Sequence, residues 1–297
     1  MRQAIRQSGS RVARWVWQRS VLNGLSIDED VPYGDHPFQK MDVIHPPPEA
    51  RNGFGVVHIH GGAFRMMSKE THGYAVGQYA SAGFTVFNLN YRLAPEFRCP
   101  AAVEDVHQAW NFIVDNAERW NAHAERLLLS GESAGANLAL GLAISCSLSH
   151  DSPWAKLTHA RGKRPVALHT SYGFLQASDT DRYRRRRMVS RFVATRMQDI
   201  EQDYLDGGQH PYSDPLCIVE DAAPEHIRSL PPILAMCGTQ DVIAADTERL
   251  IRAVRRAGGT IEEAWVPGAR HGFHLAPGPQ SAEAWRAILR HAKRVTT

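Results

Sequence analysis

The chain has 297 residues, 43% of them hydrophobic and 22% charged, with a formal net charge of +3 at pH 7. That balance is ordinary for a soluble globular protein with a sizeable core, and it is too weakly basic to argue for a nucleic-acid partner. The longest apolar run, Leu138–Cys146, is far too short to cross a bilayer, so no stable membrane insertion is expected.

In chain order, Ile5, Val12, Trp15, Val16 and Leu22 fall on one helical face, with Arg2, Arg6, Arg11, Arg14 and Arg19 elsewhere. This predicts a basic amphipathic helix packed on the body of the protein, and no secretory signal, which would need a longer apolar stretch. Short strands follow at "DVPYG" and "KMDVIHPPP", the second stopped by Pro46–Pro48. "GFGVVHIHGG" and "FTVFNLNYRL" read as buried strands. "AVEDVHQAWNFIVDNA" reads as a helix with Val103, Val106, Trp110, Ile113 and Ala117 on one stripe. "RLLLSGE" is a strand, and an apolar helix runs from Ser133 to about Ser147. "PVALHTSYG", "PPILAMCGTQD" and "IEEAWVPG" are further strands. "TERLIRAVRRAG" is a helix ended by Gly258-Gly259, and a last helix spans about Ser281 to Val295. Such alternation predicts an α/β fold, a mostly parallel central sheet with helices on both faces.

One region breaks the rhythm. Residues 179–215 have no strand pattern and carry Arg182, Arg184, Arg185, Arg186, Arg187, Arg191 and Arg196, then Asp199, Glu201, Asp203 and Asp206. Inserted helices are expected there, with the arginines on a solvated face or, alternatively, forming a basic rim on a substrate entrance.

The segment with most chemistry is Leu127–Leu140. A strand enters Gly131-Glu132-Ser133-Ala134-Gly135 and passes straight into a helix, the setting in which G-x-S-x-G lifts a serine above a sheet. Ser133 is the candidate nucleophile, and it needs a base to take its proton. Asp241 is presented at the end of the strand "PPILAMCGTQD", and His271 lies in the loop after the next strand. Each sits at a carboxyl strand end, in the order Ser, Asp, His. His271 is then general base and acid, and Asp241 its orienting partner. Asp246 competes with Asp241 but reads as the N-cap of the following helix, and His274 competes with His271.

The stretch "VHIHGGAFR" puts His58 and His60 on one face of a strand, which raises the question of a metal site. No further ligands with matching spacing follow, so no metal is expected. The Gly-rich turn is better suited to offering backbone N–H groups of Gly61, Gly62 and Ala63 to an oxyanion, with Ala134 N–H on the other side. His60 then helps shape the turn. Cys99, Cys146, Cys217 and Cys237 lie far apart with no C-x-x-C pair, which argues for reduced thiols and a cytoplasmic location.

Together these segments resemble the hormone-sensitive-lipase-like, HGGG-type carboxylesterases of the α/β-hydrolases, from about Tyr33 to the end. The matches are His60–Phe64, "YRLAPE" with "PAAVEDV", Gly131–Gly135, "GTQD" and "HGF". The resemblance implies a serine esterase of ester or lipid metabolism acting on small-molecule esters of short to medium acyl chains, without a cofactor. It also implies a helical cap, here residues 1–30 together with an insertion at 179–215 in a catalytic domain of 31–297. It leaves a homodimer open. Two positions depart from the pattern. Ala63 replaces the third glycine, and its amide is expected to donate provided its φ is negative. Glu132 stands where Asp is commoner and is expected to brace the elbow. "YGDHPFQKMDV" is similar to the formamidase relatives, so an arylformamidase or amidase with the same triad is the alternative. A non-catalytic binding protein, like the gibberellin receptor that lacks the histidine, is less favoured because His271 is present.

Overall fold

The computed structural model describes residue 17 and residues 21–149, 151–185 and 189–297. Most of the arginine-rich helix expected at the start therefore lies outside the described residues, as do Arg186 and Arg187.

Two strands open the described chain, β1 (Ser26–Pro32) and β2 (Lys40–His45). β1 is an edge strand, bulged between Asp28 and Val31. Its acidic residues Asp28, Glu29 and Asp30 face outward, a pattern that discourages pairing with another chain. The remaining strands are β3 (Gly55–Ile59), β4 (Thr85–Leu89), β5 (Leu127–Glu132), β6 (Ala167–Ser171), β7 (Ile233–Gly238) and β8 (Ile261–Val266). They form one eight-stranded sheet in the order β1-β2-β4-β3-β5-β6-β7-β8. Only β2 runs against the rest.

The central strands β3 to β7 are buried along their whole length, which is why they read as continuous apolar runs. Their side chains still alternate between two cores. Val57, Ile59, Phe87, Leu89, Leu127 and Leu129 point to one face; Val56, Val86, Leu128, Leu234 and Met236 point to the other. The second face is covered by α1 (Gly73–Ser81) and by the C-terminal helix Pro279–Thr296. The first is covered by α2 (Ala101–Asn116), α3 (Ala134–Ser147), α4 (Pro153–Ala160) and helices nearer the C-terminus. α3 is buried at every residue, a helix apolar on all sides at the centre of the molecule.

The insertion folds as α5 (Asp181–Arg185), α6 (Arg191–Leu205) and a short 3₁₀ turn at Pro211–Ser213, with no strand among its described residues. Ser190 caps α6, its Oγ accepting from Val193 N–H. Two short helices, α7 (Pro215–Asp221) and α8 (Pro224–Arg228), lead into β7. After β7 come α9 (Ala244–Arg256), β8 and the final helix, α10.

Four helices were not legible in the sequence: α1, α4, α7 and α8. In α1 the sequence "GYAVGQYAS" hides a helix behind two glycines. Both are sites of close approach, since a Cβ at Gly77 would fall 2.4 Å from Val21 Cγ1 and one at Gly73 2.4 Å from Trp17 Cβ. Tertiary contact overrides propensity there.

The chain steps from β3 sideways to β4, then returns past β3 to β5. The carboxyl ends of β3 and β5 therefore flank a topological switch point, where open α/β sheets leave a crevice.

Candidate active site

The site is built in that crevice. β5 ends at Glu132, the chain turns at Ser133, and α3 begins at Ala134. Ser133 has φ +53° and ψ −117°, a conformation that costs a non-glycine residue of the order of 1–3 kcal/mol. Two backbone bonds hold it there: Ser133 N–H donates to Ser171 O at 3.0 Å and Phe174 N–H donates to Ser133 O at 3.1 Å. The flanking glycines answer to crowding. A Cβ at Gly135 would lie 2.0 Å from Ile59 O, and one at Gly131 2.4 Å from Gly135 O.

His271 arrives from the loop after β8. Its Nε2 lies 3.0 Å from Ser133 Oγ, and its Nδ1 lies 2.9 Å from Asp241 Oδ2 and 3.2 Å from Oδ1. The Asp241 side chain is buried and also accepts Ile243 N–H at 2.9 Å, which fixes its rotamer. Tyr172, the residue after β6, sets its ring edge against His271 at 4.8 Å. This contact was missed in the sequence, although the carboxyl end of a strand is where such a residue would be sought.

The competitors go elsewhere. His274 is buried and bonds Tyr172 Oη through Nδ1 at 2.7 Å, and burial pushes its pKa down to about 3. Asp246 is not the N-cap expected for it. α9 starts at Ala244, and Asp246 lies in its first turn, fully buried. Its carboxylate accepts from the amides of Leu175 and Gln176 and pairs with Arg182 Nη2 at 2.8 Å. Arg182 is thus not on a solvated face, whereas Arg184, Arg185, Arg191 and Arg196 are exposed. The charged acceptor that a guanidinium this deep needs, Asp246, comes from 64 residues along the chain, so no local pattern announces it.

The turn after β3 divides its amides. Gly61 N–H donates to the Glu132 carboxylate, so it is not free to face an oxyanion. This corrects its expected role as a donor. Among the described residues no protein acceptor holds the amides of Gly62 or Ala63. Ala134 N–H is the first amide of α3 and has no carbonyl a turn behind it. Ala63 has φ +56°, against the negative value expected. Gly62 has φ +108°, and a Cβ there would lie 2.1 Å from Met66 O, so only glycine fits.

His60 is buried, stacked on Tyr91 at 4.3 Å, with Nδ1 2.7 Å from Gly61 O and its carbonyl accepting Tyr91 Oη–H at 2.8 Å. Burial lowers its pKa to about 3. His58 is buried in β3 with Nε2 3.5 Å from Glu132 Oε2. Both rings are structural neighbours of the turn. No group of three or more His, Cys, Asp or Glu side chains able to hold a metal occurs among the described residues.

Above Ser133 lies a cavity of about 350 Å³. Its walls are apolar: Met66 and Met67 from the turn after β3, Phe174, Val242, Ile243 and Leu275, and Met197 and Ile200 from α6. A serine, an imidazole and a buried carboxylate in line, with unpaired amides beside them, can carry out acyl transfer.

Comparison with known proteins agrees with this architecture. The family model for the alpha/beta hydrolase fold matches residues 56–275. The chain is 28% identical to an acetyl-hydrolase of Streptomyces hygroscopicus, over 82% of this chain and 78% of that protein. It is 26% identical to an ethyl acetate hydrolase of Pseudomonas putida, over 77% and 70%. In fold it superposes on a hormone-sensitive lipase from a metagenome library with a TM-score of 0.77 at 20% identity, covering 98% of this chain and 91% of that one. The chain belongs to the α/β-hydrolase family.

Proposed function

We propose that this protein is a serine carboxylesterase that hydrolyses esters of short- to medium-chain acids. The observation that carries the reading is the line Ser133–His271–Asp241, at 3.0 and 2.9 Å, on the floor of an apolar cavity. His271 Nε2 takes the Ser133 proton as Oγ attacks the ester carbonyl. The amides of Gly62, Ala63 and Ala134 receive the developing oxyanion, and the N-terminus of α3 favours its charge. The imidazolium, held in its tautomer by Asp241, protonates the departing alcohol. Water activated by His271 then attacks the acyl-enzyme, and the acid leaves.

The small apolar cavity supports an uncharged acyl group, and the relatives named for acetyl and ethyl acetate hydrolysis support a short one. The helices of residues 179–215 serve as a cap, a reading supported by Met197 and Ile200 of α6 in the cavity wall. A cytoplasmic site of action is supported by four cysteines that are all free. No helix among the described residues is long and apolar enough to cross a membrane.

The test is a series of p-nitrophenyl esters from acetate to laurate, with N-formylkynurenine as the formamide control. Turnover should peak at acetate to hexanoate, and Ser133→Ala should lower kcat by roughly 10⁴-fold or more. Undiminished turnover in that variant would overturn the reading. A preference of orders of magnitude for the formamide would transfer the same triad to arylformamidase chemistry.

A further inference from the structure

Beneath the cavity floor a single carboxylate reaches both ends of the turn that joins β3 to α1. Glu132 is 1% exposed. Its Oε1 accepts Gly61 N–H at the start of that turn and lies 2.7 Å from His72 Nε2 at its end. His72 is itself buried, on the 3₁₀ turn Lys69–His72 that runs into α1, with Nδ1 3.1 Å from Ser68 O and 2.9 Å from Thr71 Oγ1. Everything between the two anchors belongs to the segment that carries the Gly62 and Ala63 amides.

We infer that Glu132 and His72 act as one positioning unit for the oxyanion turn, clamping it at Gly61 and at its far end so that the next two amides face the substrate. The inference rests on the esterase reading and names residues that serve it without touching substrate.

The physical case has three parts. An unpaired carboxylate in this environment would be neutralised, so the acceptor for Gly61 persists as an anion only because a cation lies beside it. Burial by itself pushes the Glu132 carboxyl up, but the attraction of His72 outweighs that and holds it down near 2. Burial likewise pushes His72 down, but the charge of Glu132 outweighs it and the imidazole is raised above its ordinary value. The neighbouring rings do not compete for the charge: His58 is pushed down to about 4 and His60 to about 3, in each case chiefly by burial. Next, the turn needs holding. Gly62, Ala63, Phe64 and Met67 all have positive φ, and such a backbone keeps its shape only when its surroundings over-determine it. Finally, an amide donating to an anion makes one of the stronger hydrogen bonds available to a backbone, and here it fixes the plane of the His60–Gly61 peptide from which the Gly62 and Ala63 amides follow.

The experiment compares parent, E132Q, H72Q and the double variant on p-nitrophenyl butyrate, with active sites counted by fluorophosphonate titration of Ser133 so that unfolded molecules do not enter kcat. Affinity for a trifluoromethyl ketone, which forms a tetrahedral oxyanion on the serine, is measured alongside. The positioning role predicts that each single change lowers kcat at least tenfold while KM stays within threefold. Ketone affinity should fall in proportion to kcat/KM, and the double variant should be no worse than the poorer single one. A loss of less than tenfold, a loss carried by KM, or losses that multiply in the double variant would overturn it. The esterase reading fails separately, if the parent protein neither hydrolyses the ester nor is labelled at Ser133.

Discussion

Ser133 and Ala63 are among the residues of the site whose backbones work against their own preferences. Both have positive φ, Ser133 at +53° and Ala63 at +56°. For Ser133 the strained turn lifts Oγ to within 3.0 Å of His271, the contact on which the proposed chemistry depends. For Ala63 only the backbone is used, and its methyl group adds the left-handed penalty that glycine would avoid. Ala63→Gly should therefore raise the unfolding free energy by about 1 kcal/mol and leave kcat within threefold. Urea melts and ester hydrolysis of the same preparation check both halves; a less stable variant would show that the methyl packs to advantage. The grouping of Ser133, Asp241 and His271 was legible in the sequence, since each residue follows a strand signature in a fixed order. The division among the amides was not. Which of Gly61, Gly62 and Ala63 faces the crevice depends on the Glu132 carboxylate, 71 residues further along the chain from Gly61.

Among the elements, the sheet and α6 meet through charge as well as packing. Arg65, in the turn after β3, pairs with Asp203 of α6 at 2.6 Å, and Phe64 stacks on Tyr204 of the same helix at 3.9 Å. Those contacts set Met197 and Ile200 in the cavity wall over Ser133. At its other end the insertion is stapled by Arg182, whose guanidinium donates to Ser178 O, Gln176 O and the buried Asp246 of α9. Removing one partner of a buried pair leaves the other uncompensated, at a cost of about 3–5 kcal/mol. Arg182→Ala should lower stability by that amount. Arg252→Ala, at an exposed helical pair with Glu248, should change it by less than about 0.5 kcal/mol. Equal effects in denaturant titrations would remove Arg182 from this role. The helical periodicity of α2, α9 and α10 carried through from sequence to structure. It failed for α1, where Gly73 and Gly77 give way to close neighbours. It could not separate Arg182 from the exposed arginines after it, because burial there is decided by α9 and not by spacing.

At the scale of the molecule the unusual feature is the number of histidines buried neutral on both faces of the sheet. Burial is the main cause that lowers His58 to about 4 and His60, His107, His169 and His274 to about 3. Each takes up a proton in the unfolded chain near its ordinary value of 6.5 but resists it in the folded state down to 3–4. The unfolded state therefore binds more protons through that window, and stability falls as pH falls. Each group contributes about 1.4 kcal/mol per pH unit once well below 6.5. Five acting together bring the slope to roughly 7 kcal/mol per unit, comparable with the whole stability of a typical domain. Cooperative acid unfolding is expected near pH 5, and the urea midpoint should already be lower at pH 5.5 than at pH 7.5. A midpoint unchanged between those values would refute it. The fold class, the apolar runs of the central strands and the grouping of Ser133, Asp241 and His271 could be read along the chain, because they follow from local periodicity and from turns whose residues are dictated by backbone geometry. Which amides are free, what holds Asp246 and Arg182, and where His72 sits follow from contacts between distant segments. Those depend on a buried charge finding its partner across the sheet, and desolvation is a property of the assembled molecule that no stretch of sequence carries alone.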